Sequence, residues 1–175
     1  MFVEIIGPVL TDLIQIKRFG EKQRSENSNF RAWLKRHSFV ERRLKAIAQD
    51  VEEQIDCTAC ANCCRVATTQ VTERDADRLA RFLGVTVSVF LRDYTVVSAD
   101  EGRILSRNEN GCVFLDGNLC SVYRARPQSC ELFPHLVKGN GSLLSRLWHM
   151  PDRAVYCPIV YNTLEAWKTE TGFKK

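Results

Sequence analysis

No apolar run in this 175-residue chain approaches the ~18 to 20 residues that a membrane-spanning helix needs, so a soluble globular protein is expected and no membrane partner. No G-x-G-x-x-G or P-loop run follows a predicted strand, which removes the usual nucleotide-binding signatures. Histidine is scarce, at three residues, and no Ser, His and Asp set declares itself as a hydrolytic site. A basic leader is missing: Glu4 and Asp12 lie near the start, and Gly7-Pro8 interrupts the short apolar run before it could serve as a signal core. The expected location is therefore cytoplasmic. Internal repeats, low-complexity tracts and clear linkers are also lacking, so the length implies one domain with a core of its own. Apolar residues reach 45%, which excludes disorder.

Cysteine, in contrast, is abundant. Four of the eight thiols fall in Cys57-x-x-Cys60-x-x-Cys63-Cys64, and the others are Cys112, Cys120, Cys130 and Cys157. Two-residue spacers let successive sulfurs turn toward a common centre, and soft thiolates select Zn, Cu(I) or iron–sulfur clusters over Mg or Ca. A disulfide framework is the competing reading. It belongs to oxidising compartments, and adjacent Cys63 and Cys64 are poorly placed to pair, because a bridge prefers Cα atoms about 5.5 Å apart. The chain thus reads as a metal protein.

Helical periodicity runs over residues 2–18 through Phe2, Ile5, Ile6, Val9, Leu10, Leu13 and Ile14. Polar residues 20–29 break it, and a long helix is expected from about Phe30 to Ile55, capped by Ser28 or Asn29, with His37 packed on its apolar side. Thr72-x-x-Asp75 reads as a capping box opening a helix that Gly84 closes, with a shorter helix over about Ser88 to Tyr94. Short strands follow. A β-hairpin turning at Asp116-Gly117-Asn118 should bring Cys112 and Cys120 together, and Gly139-Asn140-Gly141 should turn into a strand over Ser142 to Trp148. Pro158 suits the first position of a last helix reaching about Thr171, with Cys157 at its N-terminus. The expected fold is α+β: a small helix-rich domain with a short hairpin region, stapled by a cysteine metal cluster over residues 55–175, plus a helical extension over residues 1–54.

The cysteine run, Gly111-Cys112-Val113-Phe114-Leu115 with Cys120-Ser121-Val122-Tyr123, Arg126-Pro127-x-x-Cys130-x-x-Phe133-Pro134 and Cys157-Pro158 together resemble the CxxCxxCC cysteine-cluster family of YkgJ-like zinc- or iron-chelating proteins. The resemblance covers roughly residues 55–162. It implies metal binding by all eight cysteines, and flagellin lysine N-methylase is a distant relative in which a similar set is associated with an iron–sulfur cluster. Two departures stand out: Glu131 follows Cys130 where relatives often carry a basic residue, and residues 1–54 fall outside the shared region.

Spacing leaves the metal open. Cys57, Cys60 and Cys63 can hold three corners of a 4Fe-4S cubane with Cys157-Pro158 as the remote fourth ligand, whereas two zinc sites would use four thiolates each. The cluster is favoured over zinc, with Cys64 turned away from Cys63 toward a second site. Arg126 is a candidate donor to cluster sulfurs, with a surface ion pair as the alternative, and His135 is the best substitute ligand. Phe114, Phe133, Trp148 and Tyr123 are expected as core around the metal. Function is open between chelation without turnover and a redox role, as an iron–sulfur oxidoreductase or a component of a methylase-like modifying enzyme. A basic segment, Lys17 to Lys45, sets ten Lys and Arg against Glu21, Glu26 and Glu41, a net of +7; it reads as a solvated helix face or as a surface for a protein or nucleic-acid partner.

Overall fold

Asp12 starts the first helix. Its carboxylate accepts the Gln15 amide at 2.8 Å, and α1 runs Leu13–Leu34 in a computed structural model that describes residues 7–174. α2 (Glu41–Gln54) follows, then the short α3 (Cys57–Cys60) and α4 (Asn62–Val66), α5 (Glu73–Leu83) and α6 (Val87–Tyr94). The strands are β1 (Thr95–Ser98), β2 (Gly102–Leu105), β3 (Arg107–Asn108), β4 (Gly111–Cys112), β5 (Leu115–Asp116) and β6 (Leu119–Cys120), paired as three antiparallel hairpins in chain order. α7 (Gln128–Glu131), α8 (Leu143–Arg146), α9 (Met150–Arg153) and α10 (Pro158–Thr171) complete the order. The class is α+β and rich in helix, as expected. Phe2, Ile5 and Ile6 of the expected first helix lie outside the described residues. Among the described residues no helix is long and apolar enough to cross a membrane.

Two compact units form, one from residues up to Asp56 together with those from Pro134 onward, the other from Cys57–Phe133. In the first, α10 packs on α1 and α2, and α1 packs on α9. Trp167 of α10 is wholly buried and donates its indole N–H to the Leu44 carbonyl at 2.7 Å. The expected break at residues 20–29 does not occur. Gly20 faces the chain at Ala154 so closely that a Cβ would come within 2.5 Å of its carbonyl oxygen, so this glycine serves close packing and not a turn. The buried face of α1 is Ile16, Gly20, Asn27, Phe30 and Leu34, while Ile14 is exposed. The chain breaks instead between Leu34 and Glu41. There His37 is exposed, its ring stacked on Trp33 at 4.0 Å, so it is not the packed residue expected.

Residues 142–148, expected as a strand, are helical: Ser142 accepts the Ser145 amide on its hydroxyl at 3.2 Å and so caps α8. Trp148 is exposed and carries Arg31 over its ring at 4.0 Å, which removes it from the expected core. Arg24 pairs with Asp152 at 3.1 Å, Lys45 with Glu41 at 2.8 Å and Arg43 with Glu170, so part of the basic segment is balanced within its own unit.

In the second unit the capping box forms as expected, with Thr72 and Asp75 bonded reciprocally, and Gly84 closes α5 at φ +70°. Leu79, Phe90, Leu105, Phe114 and Val122 make the core. The hairpin at Gly117 is present but shorter than expected. β5 pairs with β6, and Cys112 lies on the preceding ladder opposite Arg107, because a turn already intervenes between β3 and β4.

Candidate metal centre

A single left-handed residue sets the geometry of the cysteine run. Ala61, at φ +47° and buried, separates α3 from α4 and redirects the chain, a conformation that costs a non-glycine residue about 1 kcal/mol or more. Cys57 and Cys60 therefore belong to one short helix, Cys63 and Cys64 to the next. The sulfurs of Cys63 and Cys64 do not diverge as expected but stand 4.0 Å apart. That is far too long for a disulfide and close to the edge, about 3.8 Å, of a tetrahedron with Zn–S bonds of about 2.3 Å.

β4 closes on α4 through Gly111. At φ +121° a Cβ there would lie 2.6 Å from the Cys64 carbonyl oxygen and 2.7 Å from the Arg65 Cα, so only glycine lets Cys112 reach this helix. Each hairpin cysteine takes a backbone amide two residues on: Phe114 N–H donates to the Cys112 sulfur and Val122 N–H to the Cys120 sulfur. Cys130 sits on α7 with its sulfur 3.5 Å from the Thr69 hydroxyl. α7 is anchored by Asp75, whose buried carboxylate accepts the Gln128 amide at 3.0 Å and Arg78 at 2.7 Å; Arg78 also donates to the Arg126 carbonyl at 2.7 Å.

Burial dominates the protonation of Cys112, Cys120 and Cys130, and charge on Cys64 adds a smaller push in the same direction. Cys64 itself moves the other way. Cys64 is drawn down to about 6, first by its bond to Cys63 and then, against burial, by Arg65 and Arg107. Burial pushes Cys112 and Cys120 above the ordinary thiol range and Cys130 to about 11. A soft cation would displace those protons and relieve the mutual repulsion, so the donor set fits zinc or iron. Among the described residues no three His, Cys, Asp or Glu side chains already stand in metal-holding geometry. Apparent metal affinity is accordingly expected to rise with pH from about 6, where Cys64 deprotonates, and to keep rising through the ordinary thiol range, because uptake must release protons from Cys112, Cys120 and Cys130. Chelator competition across that range checks this, and a flat profile would contradict it.

The remaining expectations divide. Cys157, buried at the start of α10, belongs to the other unit, as does His135. Arg126 stacks on the Tyr123 ring at 3.9 Å and donates to the Tyr123 carbonyl at 3.3 Å, and its charge favours the Cys120 thiolate. Tyr123 is half exposed, so of the expected aromatic core Phe114 alone is fully buried. Sequence reasoning overlooked Arg65, Arg107, Gly111, Asn118 and Thr69. Arg65 directly follows the cysteine run and Gly111 directly precedes Cys112, which were the available signals.

The chain is 30% identical over 105 residues to an uncharacterized protein of Methanocaldococcus jannaschii, a match that takes in 54% of this chain and 34% of the relative, so the chain spans about a third of that protein's length. No solved structure matches it. Residues 56–158, more than half of the chain and all eight cysteines, match the CxxCxxCC family, described as a "putative zinc- or iron-chelating domain". The chain belongs to the CxxCxxCC family.

Proposed function

We propose that this protein chelates zinc or iron through its cysteine thiolates, without turnover. The observation that carries the reading is the match of residues 56–158 to a zinc- or iron-chelating family, supported by the Cys63 and Cys64 sulfurs standing 4.0 Å apart. Cys112 and Cys120 also pack against the core of their unit, and a tetrahedral thiolate site would give their sulfurs a second role. The family match also takes in Cys57, Cys60 and Cys157, which are the remaining candidate ligands. Free thiols persist in a reducing compartment, which supports a cytoplasmic location.

An iron–sulfur cluster is the second reading, favoured by the two-residue spacers of Cys57, Cys60 and Cys63 and by the remote Cys157-Pro158. Such a cluster would supply one-electron redox chemistry, as an oxidoreductase or as a component of a methylase-like modifying enzyme. Purification under anaerobic conditions with metal analysis separates the cases. A colourless protein with stoichiometric zinc supports the mononuclear site, and a brown protein with iron and sulfide supports the cluster. Protein that takes up neither metal overturns both.

A further inference from the structure

Two arginines beside the cysteine helices spend their guanidinium groups on backbone. Arg65 donates to the Cys60 carbonyl at 2.9 Å, to the Gly117 carbonyl at 3.1 Å and to Asn118 Oδ1. Asn118 returns the contact by donating to the Ala59 carbonyl at 2.8 Å. One planar fork thus closes α3 on the turn between β5 and β6, the hairpin that carries Cys120. Arg107, opposite Cys112 on its ladder, donates to the carbonyls of Arg65 and Ala67 at the end of α4, where a helix leaves its last carbonyls open.

We infer that Arg65 is the positioning residue of the metal centre, and that Arg107 assists it. Arg65 holds the segment from Cys60 to Cys64 in register with the Cys120 hairpin, and both cations offset the charge that converging thiolates accumulate. Four thiolates around a divalent ion leave a net charge of about −2, so two fixed guanidinium groups beside them favour the loaded site. Lysine cannot substitute, because a single ammonium does not present the fixed fork that meets acceptors on two segments. The inference rests on the chelation reading above.

The test uses the full chain and its Arg65→Gln, Arg65→Lys and Asn118→Ala variants, with circular dichroism to verify folding. Zinc affinity is read by chelator competition, and Co(II) bound in place of zinc reports thiolate geometry through its charge-transfer band. Arg65→Gln is expected to weaken zinc binding by about 10- to 100-fold with unchanged stoichiometry and an altered cobalt band. Arg65→Lys should recover only part of that loss, and Asn118→Ala should shift affinity in the same direction. Affinity within about twofold of the parent and an identical band in Arg65→Gln would overturn the role. If Arg65→Gln does not fold, parental behaviour in both Arg65→Lys and Asn118→Ala overturns it. A parent that binds neither zinc nor cobalt overturns the mononuclear chelation reading on which the inference rests, and Arg65's role with it.

Discussion

Serine in place of Cys64 is expected to abolish stoichiometric metal uptake and to open residues 57–70 and 107–133 to proteolysis. The elements in these stretches are two to five residues long, too short to persist by themselves. The longer α5 and α6 have capped starts and a core in Leu79, Ala80 and Phe90. Binding energy is therefore delivered to the short elements. For a structural zinc site it is of order 10 kcal/mol, and it becomes folding energy because the ligands meet only in the folded chain. A serine oxygen is a poor soft-metal donor, so the loss should be nearly complete. Cys57→Ser and Cys60→Ser should act in the same direction. Metal analysis and mapped limited proteolysis check this. A Cys64→Ser protein with parental metal content and the parental digestion map would remove Cys64 from the site.

Gly111→Ala should destabilise the protein by about 3 to 5 kcal/mol, measured by denaturant unfolding, and should weaken metal uptake with it. Two costs combine. The residue holds φ +121°, and the added methyl would stand 2.6 Å from the Cys64 carbonyl and 2.7 Å from the Arg65 Cα. Both neighbours are backbone, so overpacking adds to the conformational strain. Gly117→Ala provides the contrast: its φ is +59° and a Cβ there meets nothing within 4 Å, so a loss of only about 1 kcal/mol is expected. Equal losses at the two positions would show that contact between β4 and α4 does not govern stability.

Local signals were legible where a short stretch carried its own cause. Thr72 with Asp75 and Gly84 delimit α5, and Pro158 opens α10, because capping and ring geometry act within a few residues. α1 was misread for the opposite reason. Its buried stripe includes Gly20 and Asn27, residues that resemble a turn until Ala154 is placed against the first of them. The strand expected at 142–148 failed because Ser142 was taken as the first residue of the strand, although its hydroxyl caps the start of α8.

By itself the sequence determined the chemistry. Eight soft donors, four of them at short spacers, without a nucleotide loop or a hydrolytic set, pointed to a zinc- or iron-chelating family, because ligand type and spacing are properties of the covalent chain. Tertiary structure decided which cysteine-bearing elements meet. β4 reaches α4 because Gly111 has no side chain, α7 is set by its anchoring on Asp75, and Arg65 ties α3 to the Gly117 turn. These are contacts across tens of residues, made by excluded volume and hydrogen-bond direction, and no periodicity along the chain encodes them.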